Sequence, residues 1–242
     1  VGGVLTIPAS ETDIPDKAFA GCTTLRKVVW APNSAMTTVG NQAFYGLTGL
    51  TQPIIIPKSI TWLKPNAFCE CLLTSVTFES GSNMKTLDSS CFCKIQAASL
   101  SIPASVVTIG SGAFTQGKLT SVVFEGAKDG TSKLTSIGSS AFYGSNLGNL
   151  YFPPLLKTIG AGAFTMSGDG GFNLKTITFH PQSVLETIGE GAFRASMYGR
   201  DGLLGSEGPI TIPATVTSIA RLGIYRHPQL KLLFSCASKV QI

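Results

Sequence analysis

Six cysteines are the residues of this 242-residue chain whose spacing most resembles a chemical site. Residues 69–71 and 91–93 form two Cys-x-Cys pairs, whereas Cys22 and Cys236 have no evident partner. Closely spaced cysteine pairs are typical ligands of zinc and iron–sulfur clusters. The spacing therefore raises a metal-site hypothesis, which has to be judged against the sequence around the pairs.

Other residue types contribute little that could catalyse a reaction. His180 and His227 are far apart, and neither belongs to a recognisable Ser/His/Asp or Cys/His set. The glycine-rich segments at Gly160 and Gly189 lack the lysine of a phosphate-binding loop. We therefore expect a protein that is not an enzyme and that holds neither a cofactor nor a metal ion.

A repeated segment organises the chain, and its clearest copy is Ile102 to Phe114. It contains an apolar residue followed by Ile-Gly, two small residues and Ala-Phe. The copies recur every 22 to 31 residues and end at Phe19, Phe44, Phe68, Phe92, Phe114, Phe142, Phe164, Phe193 and, in a worn copy, Ile224. Such a period predicts a solenoid. We expect one domain over residues 1–242, with about nine coils and without complete caps.

Short segments of alternating apolar residues precede the Ala-Phe segments, and they predict half-buried strands. They include Leu25 to Trp30, Ile54 to Ile56, Val76 to Phe78, Leu100 to Ile102, Val122 to Phe124, Leu150 to Phe152 and Ile177 to Phe179. We expect these strands to stack in parallel as one continuous sheet. The Phe side chains should form an internal column, and each coil should contain one 3₁₀ or α turn.

Glycine recurs just before the two small residues, at Gly40, Gly110, Gly138, Gly160 and Gly189. A glycine at a fixed repeat position indicates either a positive φ or a close approach of another backbone.

These residues carry a family resemblance. The matching positions are Leu100, Ile102, Pro103, Val106, Ile109, Gly110, Ala113 and Phe114. The pattern resembles the BspA-like (Treponema-type) leucine-rich repeat family over nearly the whole chain. The resemblance implies a curved solenoid that serves in adhesion or protein interaction, often on microbial surfaces, with no enzyme activity and no fixed binding residues. The last copy departs from the pattern, because Gly223-Ile224 replaces Ala-Phe.

The repeat register changes how the cysteines are interpreted. Cys69 and Cys93 each follow a repeat Phe, so they should lie about 5 Å apart on neighbouring coils, which is near the Cα separation of a disulfide. Cys91 replaces the repeat Ala and should face the interior. Three interpretations stay open. The first is free and mostly buried thiols, the second is a disulfide from Cys69 or Cys71 to Cys93, and the last is a metal site.

The strands supply the main candidate binding surface. Their outward positions are predicted to be Thr6, Val29, Ile55, Thr77, Ser101, Val123, Tyr151, Thr178 and Thr211. β-Branched residues suit strands, but this preference does not explain why all nine positions lack a charge. We therefore predict a face that binds a protein, together with the loop Ala195 to Gly208, which contains Tyr198, Leu203 and Leu204.

Composition narrows the function classes. Charged residues make up 13% of the chain, and the net charge of +5 is scattered, which disfavours a nucleic-acid partner. No apolar run approaches the roughly 20 residues of a membrane span. The leading hypothesis is a non-enzymatic scaffold or structural subunit of a larger assembly, including a membrane-associated one. The alternative is a microbial cell-surface, adhesin-like module that binds extracellular protein or glycan.

The expected location is the cell surface, the extracellular space or an organelle lumen, where the chain would belong to a larger complex. The chain starts at Val1 without Met. We therefore expect either a processed precursor or a fragment of a longer polypeptide.

Overall fold

The computed structural model describes residues 3–166, 174–194, 211–220 and 233–234. Within these ranges the chain forms strands and turns, and it forms no helix. The odd-numbered strands are mostly the longer ones: β1 (Val4–Ile7), β3 (Lys27–Trp30), β5 (Ile54–Ile56), β7 (Val76–Phe78), β9 (Ser99–Ile102), β11 (Ser121–Phe124), β13 (Asn149–Phe152), β15 (Thr176–Phe179), β17 (Thr211–Ile212) and β19 (Leu233–Phe234). The even-numbered strands have two residues each: β2 (Asp13–Ile14), β4 (Thr38–Val39), β6 (Trp62–Leu63), β8 (Thr86–Leu87), β10 (Thr108–Ile109), β12 (Ser136–Ile137), β14 (Thr158–Ile159), β16 (Thr187–Ile188) and β18 (Ser218–Ile219).

The even strands form the continuous sheet of the solenoid. All nine pair in parallel, in chain order from β2 to β18. Each strand places its second residue inward, where an aliphatic side chain such as Val39, Leu63 or Ile109 is completely buried. The first residue faces outward and in most coils is Thr or Ser. These strands were not predicted, because two residues are too few to show an alternating pattern.

The odd strands differ from the prediction of one continuous sheet. They pair only in twos, as β1 with β3, β5 with β7, β9 with β11, β13 with β15 and β17 with β19. Each two-stranded unit therefore spans two coils. The alternation of two coil types in the sequence has the same period.

Proline accounts for this pairing. In four of the pairs, the residue after the second strand donates its backbone N–H to the last residue of the first strand. These bonds run from Ala31 to Ile7 (2.9 Å), Glu79 to Ile56 (3.0 Å), Glu125 to Ile102 (2.9 Å) and His180 to Phe152 (3.0 Å). The same position after each first strand is a proline, at Pro8, Pro57, Pro103, Pro153 and Pro213. Because proline has no N–H, the first strand cannot make the equivalent bond to the coil before it.

The Phe column is present as predicted. The eight rings from Phe19 to Phe193 stack nearly parallel, with neighbouring centroids 4.8–5.8 Å apart. These rings define seven steps of the solenoid, and β18 belongs to a further coil, so the count of about nine coils is approximate. The fold class, a parallel-sheet repeat solenoid, is confirmed.

The segment around each Phe is a pair of tight turns rather than a helical turn. The residue two positions before the Phe has a positive φ in seven coils, as at Gln42 (56 in the next coil is Asn66) and Ser140, with φ values of 55° and 54°. A left-handed residue interrupts the right-handed helical path. The turns still close with hydrogen bonds between residues three apart, such as Thr115 N–H to Gly112 O (2.9 Å).

Close packing, not a positive φ, explains the glycine before these turns. A Cβ added to Gly138 would lie 2.6 Å from the backbone N of Ser111 and 2.7 Å from the carbonyl carbon of Gly110. The neighbouring coil therefore approaches this position too closely for a side chain. Of the two explanations considered from the sequence, the structure supports the close approach.

Candidate interaction surface

The nine predicted outward residues lie on the outer side of the odd strands, a surface that we call the odd-strand face. Seven of them are exposed, and Val29 and Tyr151 are half-buried. The strand register brings them together in pairs: Thr6 beside Val29, Ile55 beside Thr77, Ser101 beside Val123, and Tyr151 beside Thr178. Ile55 and Val123 are the most exposed apolar members, each with 55% of its surface accessible.

Charged side chains border this face at the strand ends, which sequence analysis of the column alone did not consider. Glu125 directly follows β11, and its Oε1 accepts a hydrogen bond from the Ser101 hydroxyl (2.7 Å). Glu79 follows β7, and its Oε2 accepts the backbone N–H of Lys58 (2.9 Å). The face thus has an uncharged centre with carboxylates at one edge, an arrangement common in protein interfaces.

A groove interrupts the face between β3 and β5, which belong to different strand pairs. It has a volume of about 590 Å³, and its walls include Val29, Trp30, Pro53, Ile55 and Pro57. This feature was not predicted, because it depends on how two coils separate. The proline positions are the sequence signal that could have revealed it.

The predicted loop Ala195 to Gly208, with Tyr198, Leu203 and Leu204, lies outside the described residues, as do Cys236 and His227.

The structure joins Cys69 and Cys93 as a disulfide between neighbouring coils, with their Cα atoms 4.5 Å apart. An ion pair lies directly beside it, where Lys94 Nζ is 2.8 Å from Glu70 Oε1. The hydrogen bond from Lys94 lowers the pKa of the Glu70 carboxyl. Because this pair is solvent-exposed, it contributes little to stability, and the covalent bond is the stronger link between the two coils.

Cys71 and Cys91 are free and buried in the core, whereas Cys22 is free and exposed. The Cys71 thiol donates a hydrogen bond to the carbonyl oxygen of Phe44 (2.9 Å). Among the described residues, no three His, Cys, Asp or Glu side chains are grouped as metal ligands. Two of the four paired-motif sulfurs are bonded to each other, so the structure does not support the metal-pair interpretation.

Burial should protect the two core thiols from alkylation. It raises the pKa of Cys71 to about 12, and burial together with the Asp88 carboxylate raises the pKa of Cys91 as well. Because the thiolate is the nucleophile, we expect iodoacetamide at pH 8 to modify Cys22 rapidly in the native protein and to leave Cys71 and Cys91 unmodified. Peptide mass spectrometry with and without urea measures this. Modification of all three at one rate in native buffer would contradict the buried placement.

Two residues considered from the sequence as chemical groups have local structural roles. His180 Nδ1 accepts the backbone N–H of Gln182 (3.1 Å) at the turn after β15. Asp129 accepts hydrogen bonds from the backbone N–H and the hydroxyl of Thr131 (3.0 and 2.7 Å), which lowers the pKa of its carboxyl. These contacts hold turns in place. In the described ranges, no helix has the length and apolar character to cross a membrane.

The repeats can now be compared with known proteins. The profile of the BspA type leucine rich repeat region matches six copies, over residues 12–129 and 129–199. The chain belongs to the BspA-type leucine-rich repeat family. No curated protein matches the sequence significantly.

Solved structures share this fold at low sequence identity. The pneumococcal vaccine antigen PcpA superposes with a TM-score of 0.52 and 22% identity, over 90% of this chain and 61% of that one. A leucine-rich repeat protein from Eubacterium ventriosum gives 0.45 and 20%, over 90% and 63%. One from Bacteroides ovatus gives 0.45 and 20%, over 99% and 65%. This BspA-type chain therefore spans less than two thirds of each of these chains.

Proposed function

We propose that this BspA-type solenoid is a non-enzymatic scaffold that docks partner proteins through the odd-strand face. The observation that carries the proposal is the set of nine outward positions without a charge, several of them exposed and apolar. A solvated sheet that only had to remain soluble would carry lysine and glutamate there. The loop at residues 195–208 is expected to extend this surface, because Tyr198, Leu203 and Leu204 are of the types that anchor interfaces.

The Cys69–Cys93 disulfide favours a location in an oxidising compartment. The extracellular space, a microbial cell surface and an organelle lumen all meet this requirement. This observation supports the second candidate, a surface-exposed, adhesin-like module, alongside a subunit of a larger assembly. Native size, with mass spectrometry of the co-eluting chains, distinguishes the two. Companion proteins in a large complex favour the subunit, and a surface polypeptide eluting alone favours the adhesin-like module.

Charge placed on the odd-strand face is expected to abolish partner capture. We expect the double variant Ile55→Lys/Val123→Lys to lose at least about nine-tenths of the partner that cross-links to the wild-type protein, because each lysine must be desolvated in the interface. The measurement is cross-linking in extracts of the source, followed by quantitative mass spectrometry.

The matched control carries the same two charges on the continuous sheet. Thr86→Lys/Thr108→Lys alters outward residues of β8 and β10 and should leave capture unchanged. If the odd-strand variant keeps its partner while the control loses it, the docking face has been assigned to the wrong side of the solenoid.

A further inference from the structure

We propose that the groove between β3 and β5 binds an extended peptide segment of a partner protein, with an acidic residue, by strand addition to the free edge of β3. This inference rests on the proposed function and deepens it, because Val29 and Ile55 belong to both surfaces. It names the part of the face that recognises a backbone.

The first argument is the free edge of β3. The backbone N–H groups of Lys27 and Ala31 donate to Gly3 and Ile7, at 3.0 and 2.9 Å. Because N–H directions alternate along a strand, the intervening Val28 and Trp30 present their N–H and C=O groups toward β5. Neither residue makes a backbone hydrogen bond on that side in the described structure. These donors and acceptors match an extended backbone.

The second argument is that β5 cannot satisfy this edge. The N–H of Ile54 donates to Ser75 in the opposite direction (3.0 Å). On the side toward β3, the positions are Pro53, Ile55 and Pro57, so Ile55 carries the one N–H among the three. Two coils that cannot form a ladder leave their facing edges available to another strand.

The third argument is that the gap is open here and closed at an equivalent place. Between β11 and β13, another boundary between strand pairs, the Phe124 and Phe152 rings stack 5.9 Å apart. The corresponding positions at the ends of β3 and β5 are Trp30 and Ile56. The groove between β3 and β5 has a volume of about 590 Å³, which is in the size range of ligand sites.

The chemistry of the walls specifies the peptide. Trp30 and Ser59 line the groove, and their Nε1 and Oγ atoms are shielded from solvent without a hydrogen-bond partner in the described structure. Lys27 and Lys58 also line it, and neither forms an ion pair within the described ranges. An apolar segment with polar backbone and one or more carboxylates would complement these groups.

The test begins with a displayed library of linear peptides selected on the wild-type protein, with counter-selection on the Ile55→Glu variant. Synthetic, fluorescently labelled peptides from the selection are then titrated by anisotropy. We expect alternating apolar residues with an acidic neighbour. We also expect Ile55→Glu to weaken binding by about tenfold or more, because it places a carboxylate in the groove.

Val123→Glu is the matched control, because Val123 is as exposed as Ile55 and lies on the same face beside a filled gap. It should leave peptide affinity unchanged. N-Methylation of alternate peptide residues should abolish binding, and methylation of the residues between them should not, since only one set pairs with β3. The amides of Val28 and Trp30 should become protected from hydrogen exchange on binding.

Several results would overturn the proposal. These are no enrichment over the counter-selected variant, equal loss from Ile55→Glu and Val123→Glu, or equal effects of N-methylation at every position. Self-association of the protein that Ile55→Glu abolishes would show instead that a second copy occupies the groove. The groove can fail while the proposed function stands, because both glutamate variants would then weaken capture of the whole partner equally.

Discussion

Phe114→Ala is expected to lower the free energy of unfolding by about 3–5 kcal/mol. Phe114 is completely buried, and its ring stacks between those of Phe92 and Phe142, with centroids 5.8 and 5.1 Å away. Removing the ring leaves a cavity and also breaks two aromatic contacts, each worth about 0.5–1.5 kcal/mol. Because each coil is stabilised mainly by its neighbours, the loss should weaken the coils on both sides.

Urea denaturation followed by circular dichroism measures this effect, and hydrogen exchange locates it. Phe19→Ala is the control, because Phe19 ends the described column, is half-buried and stacks on Phe44 alone. We expect it to lower stability by less than half as much. Equal losses at the two positions would show that the column is not a main source of stability.

Removal of the Cys69–Cys93 disulfide is expected to lower the free energy of unfolding by about 3 kcal/mol. The bond links residues 24 positions apart, and a closed loop of that length restricts the unfolded chain by about this amount. The loop corresponds to one coil. Its opening should therefore release the contact between the coils of Phe68 and Phe92 before the rest of the solenoid unfolds.

The double variant Cys69→Ala/Cys93→Ala tests this prediction without leaving an unpaired thiol. Its urea midpoint should match that of the reduced wild-type protein and should not change when reductant is added. Cys22→Ala, which alters an exposed free cysteine, should retain the wild-type response. A wild-type midpoint that ignores complete reduction would refute the stabilising role of the bond.

The pairwise arrangement of the odd strands bears on how the family can bind proteins. A continuous sheet satisfies its internal backbone groups and offers side chains alone to a partner. In this chain the proline after each first strand leaves an unpaired boundary every second coil. Such boundaries add backbone donors and acceptors to an otherwise uncharged face, and the boundary between β3 and β5 is the one with an open groove.

The sequence by itself determined the solenoid, the Phe column and the outward residues of the odd strands. These features repeat in every coil, and each follows from local spacing: the Phe recurs once per coil, and strand side chains alternate with a period of two. The proximity of Cys69 and Cys93 also followed from the repeat register. The register left open whether the two sulfurs are bonded, because bonding depends on the directions of their side chains.

Only the tertiary structure decided which strands form the continuous sheet and where the odd-strand face opens. Both depend on contacts between coils more than 20 residues apart, where a single missing N–H at Pro57 changes the pairing of a whole strand. The two-residue even strands gain their stability from the parallel ladder across nine coils, not from their own sequence. Local pattern cannot show a ladder of that kind, because each strand acquires its structure from its neighbours.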